Sequence, residues 1–433
     1  MSAPISKRKG ILALSPIIVF LVVYLVPSMM VGDFYKMPMS IAFIVASIWA
    51  LITTKGMNLQ SKIDLFSTGA ANPNIMYMIW IFIFAGAFAS LATGIGSVEA
   101  TVNLTIAVLP SQFLLPGLFI ATCFVSLSIG TSVGTVVALT PFATQLAEST
   151  GLDMAFVVAV VIGGSFFGDN LSFISDTTIA ATRSQGCKMN DKFKVNLWIA
   201  APAAILALVL YGFLGNVEDA AVVSTLSSFW LILPYLIVIV TALFGLNVLL
   251  VLTLGIISSA LVGIYVSGTG IVDMCAMMGD GILGMGNLIV VTLLASGLLN
   301  VIKHNGGIYF IIQWMTARIK GARGAQASIA MLVSIVNLCT ANNTIAIITV
   351  GQLSKRISDK YRLDPRKVAS LLDTCSCIIQ CIIPYGAQIL LASGLSGLSP
   401  VSFIPYLFYA WCLMLMVGLS IVFNFPKPSM VKQ

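Results

Sequence analysis

Eight apolar stretches of the chain, 11–32, 38–54, 73–96, 193–216, 228–246, 248–267, 285–303 and 400–424, approach or exceed the length needed to cross a bilayer. A hydrocarbon core about 30 Å thick takes about 20 residues of helix. In lipid, only helices and closed barrels satisfy every backbone polar group, and runs of this length are helical. The chain is therefore read as an all-α polytopic membrane protein whose first partner is the lipid bilayer. Composition agrees. Of 433 residues, 59% are apolar and 9% are Asp, Glu, Lys or Arg, against roughly 45–50% and about 25% in soluble domains. That excludes a soluble enzyme, a disordered chain and a nucleic-acid binder, despite the net charge of +7.

Two further regions, 112–184 and 323–397, resist a simple count of crossings. Each opens with an apolar stretch interrupted by small polar residues and continues into a second interrupted stretch. Apolar runs broken at matching places in two halves point to a transporter's binding site. We read 112–149 and 323–354 as re-entrant hairpins, and 154–184 and 367–397 as broken crossings. The expected architecture has about ten transmembrane helices and two hairpins, with both termini in the cytoplasm and the chain in the cell inner (plasma) membrane. Lys7-Arg8-Lys9 ahead of the first run fits a retained first helix, not a cleaved signal. No soluble domain is expected.

Charge distribution chooses this topology. Positive residues collect on the cytoplasmic side, and the scheme places 21 of the 22 Lys and Arg there, with Lys36 alone outside. The outer loops then hold Asp33, Glu99, Glu148, Asp153, Glu218, Asp219, Asp273 and Asp280. Reading 112–149 as one crossing would push Arg183, Lys188, Lys192 and Lys194 outside and require a single helix of 38 residues.

The halves follow one plan, with 1–216 as a first repeat and 217–433 as a second. Within them, 11–111 and 228–320 are scaffold-like, and 112–216 and 323–433 are transport-like. Five crossings per half make the second repeat inverted, and such repeats meet near the bilayer midplane. At the hairpin tips, Thr131-Ser132-Val133-Gly134-Thr135 faces Thr340-Ala341-Asn342-Asn343-Thr344, which predicts Thr131 matching Thr340 and Thr135 matching Thr344.

Twelve of the fifteen acids lie in loops or at membrane edges; Asp169, Asp176 and Asp373 do not. A carboxylate at mid-membrane costs about 2.5–3.5 kcal/mol on insertion scales and is a functional candidate by default. No Lys or Arg is expected at their depth. Asp176 has a second reading as a helix cap, because Ser175-Asp176-Thr177 looks like an N-terminal cap. Carboxylate, amide and hydroxyl oxygens of Asp169, Asn170, Ser172, Asp176 and Thr177 surround the first helix break and suit a hard monovalent cation. Thr131, Ser132, Thr135, Thr340, Asn342, Asn343 and Thr344 add oxygens at the tips. Gln380 and Tyr385 flank the second break beside Pro384, and Gln380 aligns with Asp169. Na⁺ candidates are Asp169 and Asp373. The Cys375/Cys377/Cys381 cluster has no His near it, since His304 is the sole His, and reads as small buried hydrophobes. Cys187 and Cys275 are placed in loops on opposite sides. No catalytic residue and no cofactor are expected.

Phe167-Gly168-Asp169-Asn170-Leu171-Ser172-Phe173-Ile174-Ser175-Asp176-Thr177-Thr178 resembles the signature of the NhaC-type sodium/proton antiporter family. The tip Gly130–Thr135 and the segments Ala341–Ile347 and Ile383–Gln388 are similar to that family's other motifs. The resemblance implies the ion-transporter superfamily fold, Na⁺ and H⁺ as coupling ions, and an elevator-type homodimer. Many antiporter members carry an acid where this chain has Asn342-Asn343, which leaves room for a neutral or zwitterionic solute. Two readings follow: Na⁺/H⁺ antiport by alternating access, or Na⁺- or H⁺-coupled transport of a small organic solute such as an amino acid or carboxylate. A passive channel fits repeat-related broken helices poorly. An intramembrane enzyme lacks a metal-ligand or Ser/His set.

Overall fold

The computed structural model describes residues 6–31, 37–172, 175–215, 229–316 and 321–426. All regular structure among them is helical. Eight helices are long and apolar enough to cross a membrane, or nine if the bent pair Pro400–Tyr406 and Phe408–Val422 forms one span. Large apolar side chains such as Ile205, Phe213, Trp80 and Trp198 point outward, as a lipid-facing surface requires. Asp33, Lys36, Glu218, Asp219, Arg318, Lys320, Lys427 and Lys432 of the charge map, and Phe173 and Ile174 of the motif, lie outside the described residues.

Each interrupted region is two helices per stretch. The first hairpin is Leu114–Ile129 and Ser132–Thr150, and the first broken helix is Met154–Leu171 and Asp176–Gln185. The second hairpin is Gly321–Thr340 and Asn343–Tyr361, and the second broken helix is Pro365–Ile382 and Ala387–Ser396. Local chemistry sets these ends. Asp153 accepts from the Ala155 and Phe156 amides, and Asp364 accepts from the Arg366 amide with Pro365 opening the helix. Such caps satisfy amides that a helix cannot pair internally. Gly130 closes the first arm in the left-handed conformation at φ 72°.

The ends repeat at a constant separation of 211 residues, as in 131 to 342 and 186 to 397. Asp153 and Asp364 both cap, Ser172 and Ile383 both terminate, and Ser175 and Gly386 both precede the second half-helix. Gly186 and Gly397 close those half-helices with left-handed backbone. At the tips the same separation pairs Gly130 with Ala341 and Thr131 with Asn342; Thr131 and Asn342 both have φ −148°. The expected match of Thr131 with Thr340 and Thr135 with Thr344 is therefore two residues out. The turn needs a left-handed residue followed by an extended one, and backbone geometry overrides the coincidence of two Thr pairs. Ala341 adopts φ 47°, a conformation that costs a non-glycine residue roughly 1–2 kcal/mol.

Close helix approach through small residues positions the first break. A Cβ on Gly168 would lie 2.3 Å from the Ser126 Cβ, and one on Gly164 would lie 2.8 Å from the Thr122 Cβ. The first broken helix is thus seated against the hairpin arm Leu114–Ile129. Elsewhere Gly86 and Gly281 meet backbone to backbone. Without a hydrophobic drive between helices in lipid, such contacts supply the packing. Cys275, expected in a loop, sits exposed on the helix Ile271–Gly284.

Candidate functional site

Both hairpin tips and both helix breaks open onto one cavity of about 370 Å³. The first residues of four helices, Ser132, Asp176, Asn343 and Ala387, all line it. Each helix N-terminus carries roughly +0.5 of an elementary charge, so four supply about +2. The carboxylates of Asp169 and Asp176, also in the wall, supply about −2 when ionised. The same tips and breaks also end four helices, Leu114–Ile129, Met154–Leu171, Gly321–Thr340 and Pro365–Ile382, whose C-termini offset the N-termini with about −2. The ionised carboxylates therefore leave the cavity net negative, which suits a cation.

Asp169, on the last turn of Met154–Leu171, is 5% exposed. Its Oδ2 accepts from Ser132 Oγ at 2.8 Å and its Oδ1 from Ser175 Oγ at 2.7 Å. Ser175 Oγ lies 2.6 Å from Thr177 Oγ1. Ser132 Oγ in turn accepts from Gln388 Nε2 at 2.9 Å, and Gln388 Oε1 accepts from Gln380 Nε2 at 3.1 Å. Gln380 Nε2 also donates to the Ala341 carbonyl at 3.0 Å. One chain of hydrogen bonds therefore ties both tips to both breaks. Asp169 and Gln380, which occupy matching positions, each reach toward the tip of their own half. No ion pair among the described residues includes Asp169.

Asp373 is different, and here an expectation fails. Lys192, assigned by sequence to a cytoplasmic loop, is 1% exposed and forms an ion pair with the fully buried Asp373. Lys192 Nζ also donates to the Asn170 carbonyl at 2.7 Å and to Thr178 Oγ1 at 2.8 Å. Thus a Lys does share the depth of these acids. It lies in the first turn of Met189–Leu214, where Met189 and Asn190 are exposed but Lys192 itself turns inward and is buried against the first broken helix. Asn196 continues the cluster, donating to the Asn170 carbonyl and Oδ1 and accepting from Ser370 and Thr374.

The cavity gathers Asp169, Asp176, Thr177, Thr131, Ser132, Asn342, Asn343, Thr344 and Gln380 of the expected site residues. It does not take in Asn170, Ser172, Thr135, Thr340, Asp373 or Tyr385. Asn170 faces Asn196; Ser172 donates to the Leu127 carbonyl; Thr135 donates to the Thr131 carbonyl. Thr340 donates to the Asn342 carbonyl, and Tyr385 donates to the Leu338 carbonyl while packing edge-on against Phe20 and Phe43. Asp176 is exposed and is the first helical residue; Ser175 holds the cap position instead. Asn342 does cap, accepting from the Ile345 amide at 2.9 Å. Lys192 escaped the sequence-based site, whereas Ser175 and Gln388 were placed around the two breaks by sequence without being assigned as site residues. A polar residue four positions past the Pro384 break was the available signal for Gln388. Nothing local distinguishes Lys192 from its neighbours Lys188 and Lys194.

A polytopic helical protein with broken helices and hairpin tips around a polar cavity is a secondary active transporter. The model of the Na⁺/H⁺ antiporter family matches the chain twice, at residues 4–216 and 216–425. The chain belongs to that family, which consists of multi-pass membrane transporters and implies sodium and proton as substrates. It is 25% identical to the Na⁺/H⁺ antiporter NhaC of Bacillus subtilis, covering 70% of this chain and 74% of that one. It is 22% identical to the malate-2H⁺/Na⁺-lactate antiporter of the same organism, over 73% and 74%. To the arginine/ornithine antiporter ArcD of Halobacterium salinarum it is 23% identical, over 69% of each chain. Among solved structures, the YdaH transporter of Alcanivorax borkumensis aligns over 89% of this chain and 99% of its own, with TM-score 0.44 and 15% identity.

Proposed function

We propose that the chain exchanges Na⁺ for H⁺ at Asp169. The observation that carries this is a buried carboxylate in the cavity wall whose hydrogen-bond partners among the described residues are the hydroxyls of Ser132 and Ser175. A carboxylate at this depth is stabilised by a proton or by a hard cation, and the neighbouring hydroxyl oxygens suit Na⁺. The constant 211-residue separation and the twofold family match support two repeats, 1–216 and 217–433, inverted relative to each other. We further propose scaffold-like and transport-like parts as divided above, elevator-like alternating access, a homodimer, and an inner-membrane location with both termini cytoplasmic. Flux in proteoliposomes tests the reading: a sodium gradient should drive proton movement reported by an internal pH-sensitive dye. A tight vesicle preparation in which sodium moves no protons would sink it.

A second reading, coupled transport of a small organic solute, is favoured by cavity size. About 370 Å³ exceeds what a bare ion needs and falls within the range of small-molecule sites. A solute carboxylate would sit at the helix N-termini of Ser132 and Asn343, and an amine beside Asp169 or Asp176. The names of the malate–lactate and arginine/ornithine relatives support this class. Uptake of labelled amino and organic acids in the same vesicles separates the two.

A further inference from the structure

The Lys192–Asp373 pair takes no part in the cavity, and the repeat shows that the fold does not require it. At the 211-residue separation, Lys192 corresponds to Phe403 and Asp373 to Ile162, both fully buried apolar residues. The same chain therefore fills one copy of this position with hydrophobes and the other with charges. Buried ion pairs are seldom more stabilising than well-packed apolar replacements, so packing alone does not explain the charges. The ammonium has three protons, and all three are used: on the Asn170 carbonyl, on Thr178 Oγ1 and on the Asp373 carboxylate. On the acceptor side, Asp373 Oδ2 also accepts from Thr178 Oγ1 at 3.4 Å, and Oδ1 lies 3.7 Å from Cys377 Sγ.

We propose that Lys192 is a tethered cation that permanently fills the Asp373 carboxylate, so that one Na⁺ binds per chain, at Asp169, where two buried carboxylates would otherwise hold two. This rests on the sodium-exchange reading above. Lys192 acts through Asp373 and is a positioning residue; it also holds the Asn170 carbonyl, next to Asp169 in sequence. Asp176, exposed to the cavity, has water competing for its oxygens and holds Na⁺ only weakly.

Equilibrium binding of radiolabelled sodium to the purified full chain tests the proposal. The parent should bind one Na⁺ per chain, Lys192→Met two, and Lys192→Arg one, a change in stoichiometry that a merely structural role would not produce. Lys192→Met leaves a lone buried carboxylate and can fail to fold; the neutral pair Lys192→Met/Asp373→Asn then decides, and should bind one. A parent that binds two, a folded Lys192→Met that still binds one, or a folded neutral pair that binds none overturns the proposal and leaves sodium exchange standing. A parent that binds none overturns both.

Discussion

Ser132 Oγ, on the first residue of a hairpin arm, donates at 2.8 Å to Asp169 Oδ2 on the last turn of a broken helix. The two residues are 37 apart in sequence, and their contact brings a helix N-terminus up to a helix C-terminal turn. Carbonyls at the C-terminal end and the carboxylate favour a cation, while the N-terminus opposes it. The balance makes binding reversible, which a transporter needs.

Replacing Asp169 by Asn removes charge while nearly preserving shape. The folded variant should lose Na⁺-driven proton movement, with apparent Na⁺ affinity at least about tenfold weaker, or about 1.4 kcal/mol. Dye-reported flux in vesicles measures this; normal sodium dependence in a folded variant would leave Asp169 a structural role only.

Ser132→Ala removes a donor to Asp169 and an acceptor for Gln388. Hydrogen bonds to charged groups contribute about 1.5–3 kcal/mol, so Na⁺ affinity should fall roughly tenfold or more while the protein still folds. Sodium titration of the transport rate gives the value. A shift of less than about twofold would mean that the hydroxyl is dispensable to the site.

Gly168→Ala tests the seat of the first break. The added methyl would meet the Ser126 Cβ at 2.3 Å, and overpacking of this kind typically costs about 1–3 kcal/mol. Thermal unfolding in detergent should show a lowered Tm. Transport should weaken too, although the new atom touches nothing in the cavity. A Gly168→Ala variant as stable as the parent would contradict the packing.

Thiol labelling tests the proposed topology. Cys275 is exposed, whereas Cys187 is half-buried between two spans, and burial, with Asp191 and Asp364 nearby, pushes its thiol up to about 11. Thiolates are the reactive form. Impermeant reagents should therefore label Cys275 from outside, and Cys187 only from the cytoplasm and slowly. The Cys187 rate should climb about tenfold per pH unit between 7 and 9, since neutral pH lies well below its pKa. Labelling of both from one side would refute the ten-crossing scheme.

Asp169 could be read from the sequence because an acid inside an apolar run is expensive wherever that run packs. The lengths of the runs, the positions of Gly130 and Pro384, and the caps at Asp153 and Asp364 likewise act within a few residues of themselves. They set helices and breaks before any tertiary contact exists. The match between halves was legible in outline only. Its register depended on Ala341 taking left-handed backbone, which its side chain disfavours and which the tip, held by Gln380 on the Ala341 carbonyl, maintains. Tertiary structure alone decided the fate of Asp373. Its partner Lys192 lies 181 residues away, in a segment whose charges look like those of any cytoplasmic loop. Whether a lysine there meets water or a buried carboxylate depends on which helix covers it, and that is a property of packing between distant segments.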